Sequence, residues 1–481
     1  MPSTDTSRPN ILVILSDDQG SWTLGCAGNR ECRTPHLDRL AATGLRCGNF
    51  FCASPVCSPA RASLLTGRIP SQHGIHDWLR AGDTIAPYEP ERGGELVEYL
   101  AGQVGYTDLL AAAGYVCGLS GKWHLGDCHH PQKGFSFWKV HAKGGGPYYR
   151  APMIDGDGVR EEERYVTDAI TDQALEFLEQ QRAERAARPF YLGVHYTAPH
   201  SPWGREQHPA ELWDDYHANC PFASAPDGLA PPPWATFLSI PVETPEKRRA
   251  HLSGYYAAIT AMDRNIGRLL DWLEGHGLRG NTLVFFTSDN GMNMGHHGVY
   301  GKGNATFPQN MFEESVKVPA IFSRPGHVPA GATCADLLSH YDFLPTLVDY
   351  LGLENPEADA LPGTSFAPLL RGEAPADREH VVIGDEYGPV RMIRTQSWKY
   401  IHRYPYGPHE LYHLDEDPGE TRNLAGDGDH AATEAHLRQA LGDWFLRYTD
   451  PRRDGTREPV TGRGQLGRGG TEGDGRIQYA P

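Results

Sequence analysis

Short apolar runs that stop abruptly at charged or polar residues constrain this chain more than any other feature. The first is NILVILS, from Asn10, which runs directly into Asp17 and Asp18. A run without polar alternation is the pattern of a strand buried on both faces, as in a parallel sheet. Three more runs share the plan. YVCGLSG ends at Lys122 and His124, FYLGV leads to His195 and His200, and TLVFF leads to Asp289 and Asn290. In open α/β sheets, ligands bind outside the carboxyl ends of the strands. The four polar clusters are therefore expected to converge on one site.

Helical patterns separate the runs. TPHLDRLAATG carries Thr34 as N-cap, Pro35 at the first helical position and Gly44 as C-cap. TDLLAAAG is a second short helix. A longer one places Val166, Ile170 and Leu178 on one stripe, and another aligns Ile259, Met262, Ile266, Leu269 and Leu273. Strands alternating with helices give an α/β fold: a large mixed, mostly parallel sheet flanked by helices. The stretch 201–244, rich in Pro and aromatic residues, reads as a loop excursion. After a Pro- and Gly-rich passage the pattern changes to hairpin strands, VRMIRTQSWKYIHRY and HELYHLDEDPGE, and a terminal helix. The expected organisation is a catalytic α/β domain over 1–375 and a small C-terminal α+β domain with an antiparallel sheet over 376–450. An extended arm or tail follows over 451–481, available for exchange between subunits.

The formal net charge of −17 leaves no basic excess for phosphate contacts, so nucleic acid is not an expected partner. Nine cysteines without a CxxC pair argue against a disulfide framework and a zinc ribbon. The beginning of the sequence shows no basic segment, and its apolar run is too short for a signal peptide or a membrane span. The expectation is a cytoplasmic protein with no membrane partner.

Adjacent carboxylates such as Asp17 and Asp18 repel each other unless a positive charge lies between them. Asp289-Asn290-Gly291 alone would pass as a turn. Together, Asp17, Asp18, Asp289 and Asn290 form an all-oxygen set suited to Ca²⁺ or Mg²⁺, whereas zinc would favour His or Cys. Lys122, His124, Lys302 and Arg61 would form the opposite pole. Of the other histidines, His195 is a supporting residue beside His200, and His73 and His297 are candidates for support. In CSPARASLLTGR, Ser58 serves as helix N-cap, Pro59 opens the helix, and Leu64 and Leu65 face the core. That leaves Cys57 and Arg61. A thiol at the positive end of a helix, one turn from a guanidinium, is expected to be activated.

CSPARASLLTGR resembles the sulfatase signature, in which C-x-P-x-R opens a segment ending in T-G-R. GYVCGLSGKWHLG is similar to the second signature of that family. RPNILVILSDDQG, HYTAPHSPW and TSDNGMNMGHHGVYGKG resemble its remaining active-site segments, in the same order. The family is that of type I, formylglycine-dependent sulfatases in the alkaline phosphatase superfamily. The resemblance implies a sulfuric ester hydrolase in which Cys57 is converted to Cα-formylglycine by a formylglycine-generating enzyme. It implies that Asp17, Asp18, Asp289, Asn290 and an oxygen of modified Cys57 hold one divalent cation, Ca²⁺ or else Mg²⁺, with Gln19 close by. Arg61 would steady the formylglycine hydrate, Lys122, His200 and Lys302 would bind sulfate oxygens, and His124 would act as base. One hydroxyl of the hydrate would attack sulfur while His200 or Lys302 protonates the alcohol. The second hydroxyl, deprotonated by His124, would expel sulfate.

Two alternatives accompany this reading. A phosphonate monoester or phosphodiester hydrolase of the same superfamily would share the motifs around the nucleophile. An inactive protein that binds anionic sugars should have lost part of the charged set, which here is complete. The substrate is expected to be a small anionic sulfate ester, either a sulfated sugar or an aryl or alkyl sulfate. Specificity would come from loops at 76–83, 143–152, 201–244 and 404–410. Trp78, Tyr148, Tyr149 and Trp203 are candidates to stack on a ring, against the plainer role of packing between loops.

Overall fold

The computed structural model describes residues 8–84, 95–156, 158–184, 188–236, 238–374, 378–385, 387, 389–471 and 477–480. Among them, eleven strands form one sheet. Its centre is built from the four apolar runs: β1 (Asn10–Ser16), β2 (Val116–Lys122), β3 (Phe190–His195) and β4 (Thr282–Ser288). They lie side by side in the order β4-β1-β3-β2, all parallel. Leu12 sits opposite Leu192 on one side and Val284 on the other. Beyond β4, Ala320–Ser323 pairs antiparallel, and Leu45–Phe51 follows it. Beyond β2 come the parallel strand Phe135–His141 and the antiparallel Ala151–Asp155 and Val159–Glu162. The sheet is thus mixed, with a parallel heart.

The heart is apolar on both faces because helices cover both. Along β1, Ile11, Val13 and Leu15 enter one core, while Leu12 and Ile14 enter the other. The first core also receives Leu64 and Leu65 of helix α1 (Cys57–Thr66). The second receives α2 (Val166–Glu184) and the 31-residue α3 (Pro245–Gly275). Thr244 caps α3, its Oγ1 accepting from Lys247 N at 3.2 Å.

Local expectations fail where a tertiary partner takes over. α1 begins at Cys57, with Val56 in the cap position, so Ser58 is not its N-cap. The first helical N–H groups have no intrahelical partner, so a proline fits within the first turn and need not open it. Ser58 Oγ accepts instead from Leu79 N at 3.1 Å. Thr34 does not cap Pro35–Ala42 through its side chain either. Asp263 of α3 does that work, accepting from His36 N at 3.1 Å and Leu37 N at 2.8 Å. The 201–244 excursion contains a helix, Ala210–Asn219, whose Leu212, Trp213 and Tyr216 are buried in the second core.

Four antiparallel strands, Val381–Asp385, Val390–Arg394, Trp398–Arg403 and Glu410–His413, form a separate sheet. Helix Ala431–Tyr448 packs on it through Leu437, Leu441 and Phe445. Ile383, Met392 and Ile401 join the first core of the large sheet. The described residues beyond 450 return to the body of the chain, where Gln465 pairs with Leu79 and Tyr479 and is fully buried. Among the described residues, no helix is long and apolar enough to cross a membrane.

Candidate active site

Because β4, β1, β3 and β2 are adjacent and parallel, their carboxyl ends deliver the four clusters to one edge. Asp18 N donates to Asp289 Oδ1 at 3.1 Å, and Gln19 N donates to Ser288 Oγ at 3.0 Å, which locks the ends of β1 and β4 together. The end of β2 lies against β3 because Gly121 has φ +104° and no side chain. A Cβ there would lie 2.0 Å from His195 O. α1 presents Cys57 from its first turn, with Sγ 3.4 Å from Asp17 Oδ1.

Ligand atoms of Asp17, Asp18, Cys57 and Asp289 all lie within 4.8 Å of one another, and all four residues are buried. Asn290 joins them, its Nδ2 donating to Asp18 Oδ1 at 2.8 Å. Three side-chain cations face the three carboxylates. Lys122 Nζ is 2.6 Å from Asp17 Oδ2, and Arg61 Nε is 2.8 Å from Asp289 Oδ2. Lys302 Nζ donates to Asp18 Oδ1 at 2.5 Å and to Cys57 Sγ at 2.6 Å. Arg61 Nη1 also donates to Lys122 O at 3.0 Å. His200 Nε2 lies 3.6 Å from Asp18 Oδ2.

The proton affinities follow from burial set against these neighbours. Burial opposes ionisation of Asp289, yet Arg61, Lys122 and Lys302 hold its carboxyl well below the usual range. Asp18 is also lowered, since Lys302 and His200 outweigh its burial. Asp17 is raised, by burial and by Asp289. The expectation of an activated Cys57 thiol is corrected: burial drives its pKa up, and Lys122 and Lys302 offset only part of that. Burial, with Lys122 beside it, keeps His124 well below the ordinary histidine range, hence neutral.

A cavity of about 500 Å³ opens above the cluster, within the size range of small-molecule sites. Asp18, Cys57, His124, His200 and Lys302 line it together with Trp78, Arg80, Lys143, Trp203 and Ile240. Three of the four expected specificity loops thus contribute. The 404–410 loop does not, and its Tyr406 points to solvent, 93% exposed. Tyr148 is no stacking platform. It is buried against Tyr165 at 5.4 Å, and its hydroxyl donates to His200 O at 2.8 Å. Tyr149 likewise packs on Tyr165.

His195 supports the site from behind, with Nδ1 3.2 Å from Lys122 O. His73 bonds Ser63 Oγ at 3.1 Å, and His297 stacks on Phe312 beside Glu314, so both act away from the cluster. Several residues at the site had no mark in the sequence pattern. His340 Nε2 bonds Ser288 O at 3.0 Å and steadies the end of β4. Gly144 lets the 143–152 loop approach His124, whose Nε2 would lie 2.2 Å from a Cβ there. Leu79 contributes its backbone carbonyl, 3.0 Å from His124 Nε2.

Comparison with known proteins agrees with this geometry. The sulfatase family model matches residues 9–353, and a model of the N-sulphoglucosamine sulphohydrolase C-terminal region matches residues 295–445. An N-acetylglucosamine-6-O-sulfatase of Bacteroides thetaiotaomicron is 29% identical, over 93% of this chain and 88% of its own. An ulvan-active sulfatase of Formosa agariphila is 31% identical, over 93% of this chain and 83% of its own. The solved structure of BT4656 in complex with its substrate D-glucosamine-2-N,6-O-disulfate matches with a TM-score of 0.75 at 27% identity. That match covers 94% of this chain and 100% of the other. From the strand-end clusters to the matched relatives, the findings agree that the chain belongs to the sulfatase family and is a sulfatase enzyme.

Proposed function

We propose that this sulfatase cleaves a sulfate monoester on a sugar, using one divalent cation, Ca²⁺ by donor type, and Cys57 matured to Cα-formylglycine. One observation carries the reading. Asp17, Asp18, Cys57 and Asp289 bring their ligand atoms within 4.8 Å, and Asn290 Oδ1 beside them is buried without a hydrogen-bond donor. Clustered carboxylates and an orphaned amide oxygen are the hard donor set that Ca²⁺ takes. When present, the cation would offset the carboxylates and acidify the attacking oxygen, and formylglycine would supply two hydroxyls, one to attack and one to release sulfate.

The chain's own residues do the rest. Arg61, Lys122 and Lys302 balance Asp17, Asp18 and Asp289 in number, so any added cation leaves the site positive and ready for an anionic ester. Lys122, Lys302 and His200 hold the sulfate oxygens and meet the charge that builds on them. Arg61 ties Asp289 to the Lys122 carbonyl and steadies residue 57. His124, neutral and buried, takes the proton at the release step, and His200 or Lys302 gives one to the departing alcohol. Trp78 and Trp203 form walls for a ring. The relative named for N-acetylglucosamine 6-O-sulfate and the complex with disulfated glucosamine support an amino-sugar sulfate as the substrate class. The nine free cysteines support a reducing, cytoplasmic setting. Cys57 is 3% exposed, so a formylglycine-generating enzyme would act before the chain closes over it.

Tryptic cleavage after Arg46 and Arg61 releases a peptide, 47–61, that contains Cys57. In active enzyme, a fraction of this peptide should show the mass loss of a thiol-to-aldehyde change and react with hydrazides. Hydrolysis of an aryl sulfate should track that fraction. Cys57→Ala should lose turnover by a factor on the order of 10⁶. Normal turnover by the alanine variant or by wholly unmodified protein refutes the proposal, and faster hydrolysis of an aryl phosphonate ester redirects it to that relative.

A further inference from the structure

The tail reaches the chemistry through one peptide group. Gln465 runs beside Leu79, its N–H donating to Trp78 O at 2.8 Å and its carbonyl accepting from Arg80 N at 2.9 Å. Leu79 is therefore held on both sides. The Gln465 side chain is fully buried and pins the same loop further upstream. Oε1 accepts from His76 N at 2.9 Å and Asp77 N at 3.4 Å, while Nε2 donates to Gly74 O at 3.0 Å and Gly467 O at 2.9 Å. A glycine allows this closeness: a Cβ at Gly464 would lie 2.6 Å from Arg80 Cβ.

Leu79 in turn touches both partners of the chemistry. Its N–H donates to Ser58 Oγ at 3.1 Å, next to Cys57, and its carbonyl meets His124 Nε2 at 3.0 Å. A carbonyl only accepts, so Nε2 carries the imidazole proton. Nδ1 is then the basic atom, and it is buried without a partner.

We propose that Gln465 is a positioning residue for catalysis: by seating Leu79 it sets the tautomer and the place of His124, making the C-terminal segment a working part of the active site. The proposal rests on His124 being the base. An alanine at 465 would strand buried N–H and C=O groups of the 74–77 loop, which then shifts to find water. A glutamate would set a charge against two carbonyls.

The test uses the full chain and para-nitrophenyl sulfate, well below the melting temperature, with Gln465→Ala, His124→Ala and the double variant. Displacing a catalytic group by about 1 Å costs on the order of 10²-fold in rate. Gln465→Ala should therefore lower kcat about 10- to 100-fold with KM within about threefold, and should cost less than about threefold more in the His124→Ala background. Gly464→Ala, which pushes the tail off Arg80, should act the same way and stands in where Gln465→Ala does not fold. Unchanged kcat in both tail variants overturns the proposal, as does an equal loss in the His124→Ala background, which would mark a purely structural role. Full activity of His124→Ala removes the base assignment and the proposal with it. An inactive His124→Ala beside normal tail variants removes the proposal alone.

Discussion

Replacing Lys122 by methionine keeps the length and apolar stem of the side chain and removes only its charge. Both Lys122 and Asp17 have 0% side-chain exposure, and Nζ lies 2.6 Å from the carboxylate. Leaving a buried charge without its partner costs about 3–5 kcal/mol, while a near-isosteric swap adds little from packing. Unfolding entropy of about 2.1 cal/mol/K per residue over 481 residues amounts to about 1 kcal/mol/K. The variant should therefore melt about 3–5 °C below the parent when a chelator keeps cations away. The penalty should also depend on pH. Burial and Asp289 already raise the Asp17 carboxyl, and without Lys122 it takes a proton more readily still. The variant then binds more protons when folded than the parent does, so its deficit should shrink as pH falls. Calorimetric melts at about pH 8 and about pH 5 read both effects. A melting temperature within about 1 °C of the parent at both values refutes the argument, because Asp17 would then not depend on Lys122.

Asp289→Ala should lose tight Ca²⁺ binding, read by titration calorimetry, together with turnover, while the fold survives; full activity after exhaustive chelation would overturn the cation assignment. Asp263 tests the energetics away from the site. Burial raises its pKa from 3.8 to about 7 while it caps the helix Pro35–Ala42. The folded state therefore keeps a proton that the unfolded chain releases, and stability falls as pH rises from about 4 to about 7. Asp263→Asn should flatten that slope, and parallel melting-temperature profiles for the two proteins would show that the buried charge costs nothing.

Much of the polar cluster was visible in the sequence because its residues sit at the ends of buried strands. Asp17, Asp18, Lys122, His124, Asp289 and Asn290 each follow an apolar run, and parallel strands bring such ends to one edge. The cap assignments for Ser58 and Thr34 failed because partners distant in sequence intervene: Leu79 N takes the Ser58 hydroxyl, which lies inside the helix, and Asp263 accepts from Leu37 N in place of Thr34. The helix Ala210–Asn219 was hidden in a Pro- and aromatic-rich stretch. Its stability comes from Trp213 and Tyr216 entering the core beside α3, not from an unmistakable local period.

The sequence by itself determined that the chain would build a parallel-centred α/β sheet, and it named the polar residues carried at the strand ends. These are local properties: a continuous apolar run has to be buried on both faces, and the residues after it have to lie at its end. Only the tertiary structure decided the strand order β4-β1-β3-β2 that makes the four ends neighbours. It also decided that burial pushes the Cys57 thiol pKa up rather than down, because desolvation depends on everything packed around a group. And it alone joined Gln465 to His124 through the peptide of Leu79. A backbone carbonyl is the same at every position, so no residue pattern marks the one that holds the His124 imidazole; only the folded path of the chain selects it.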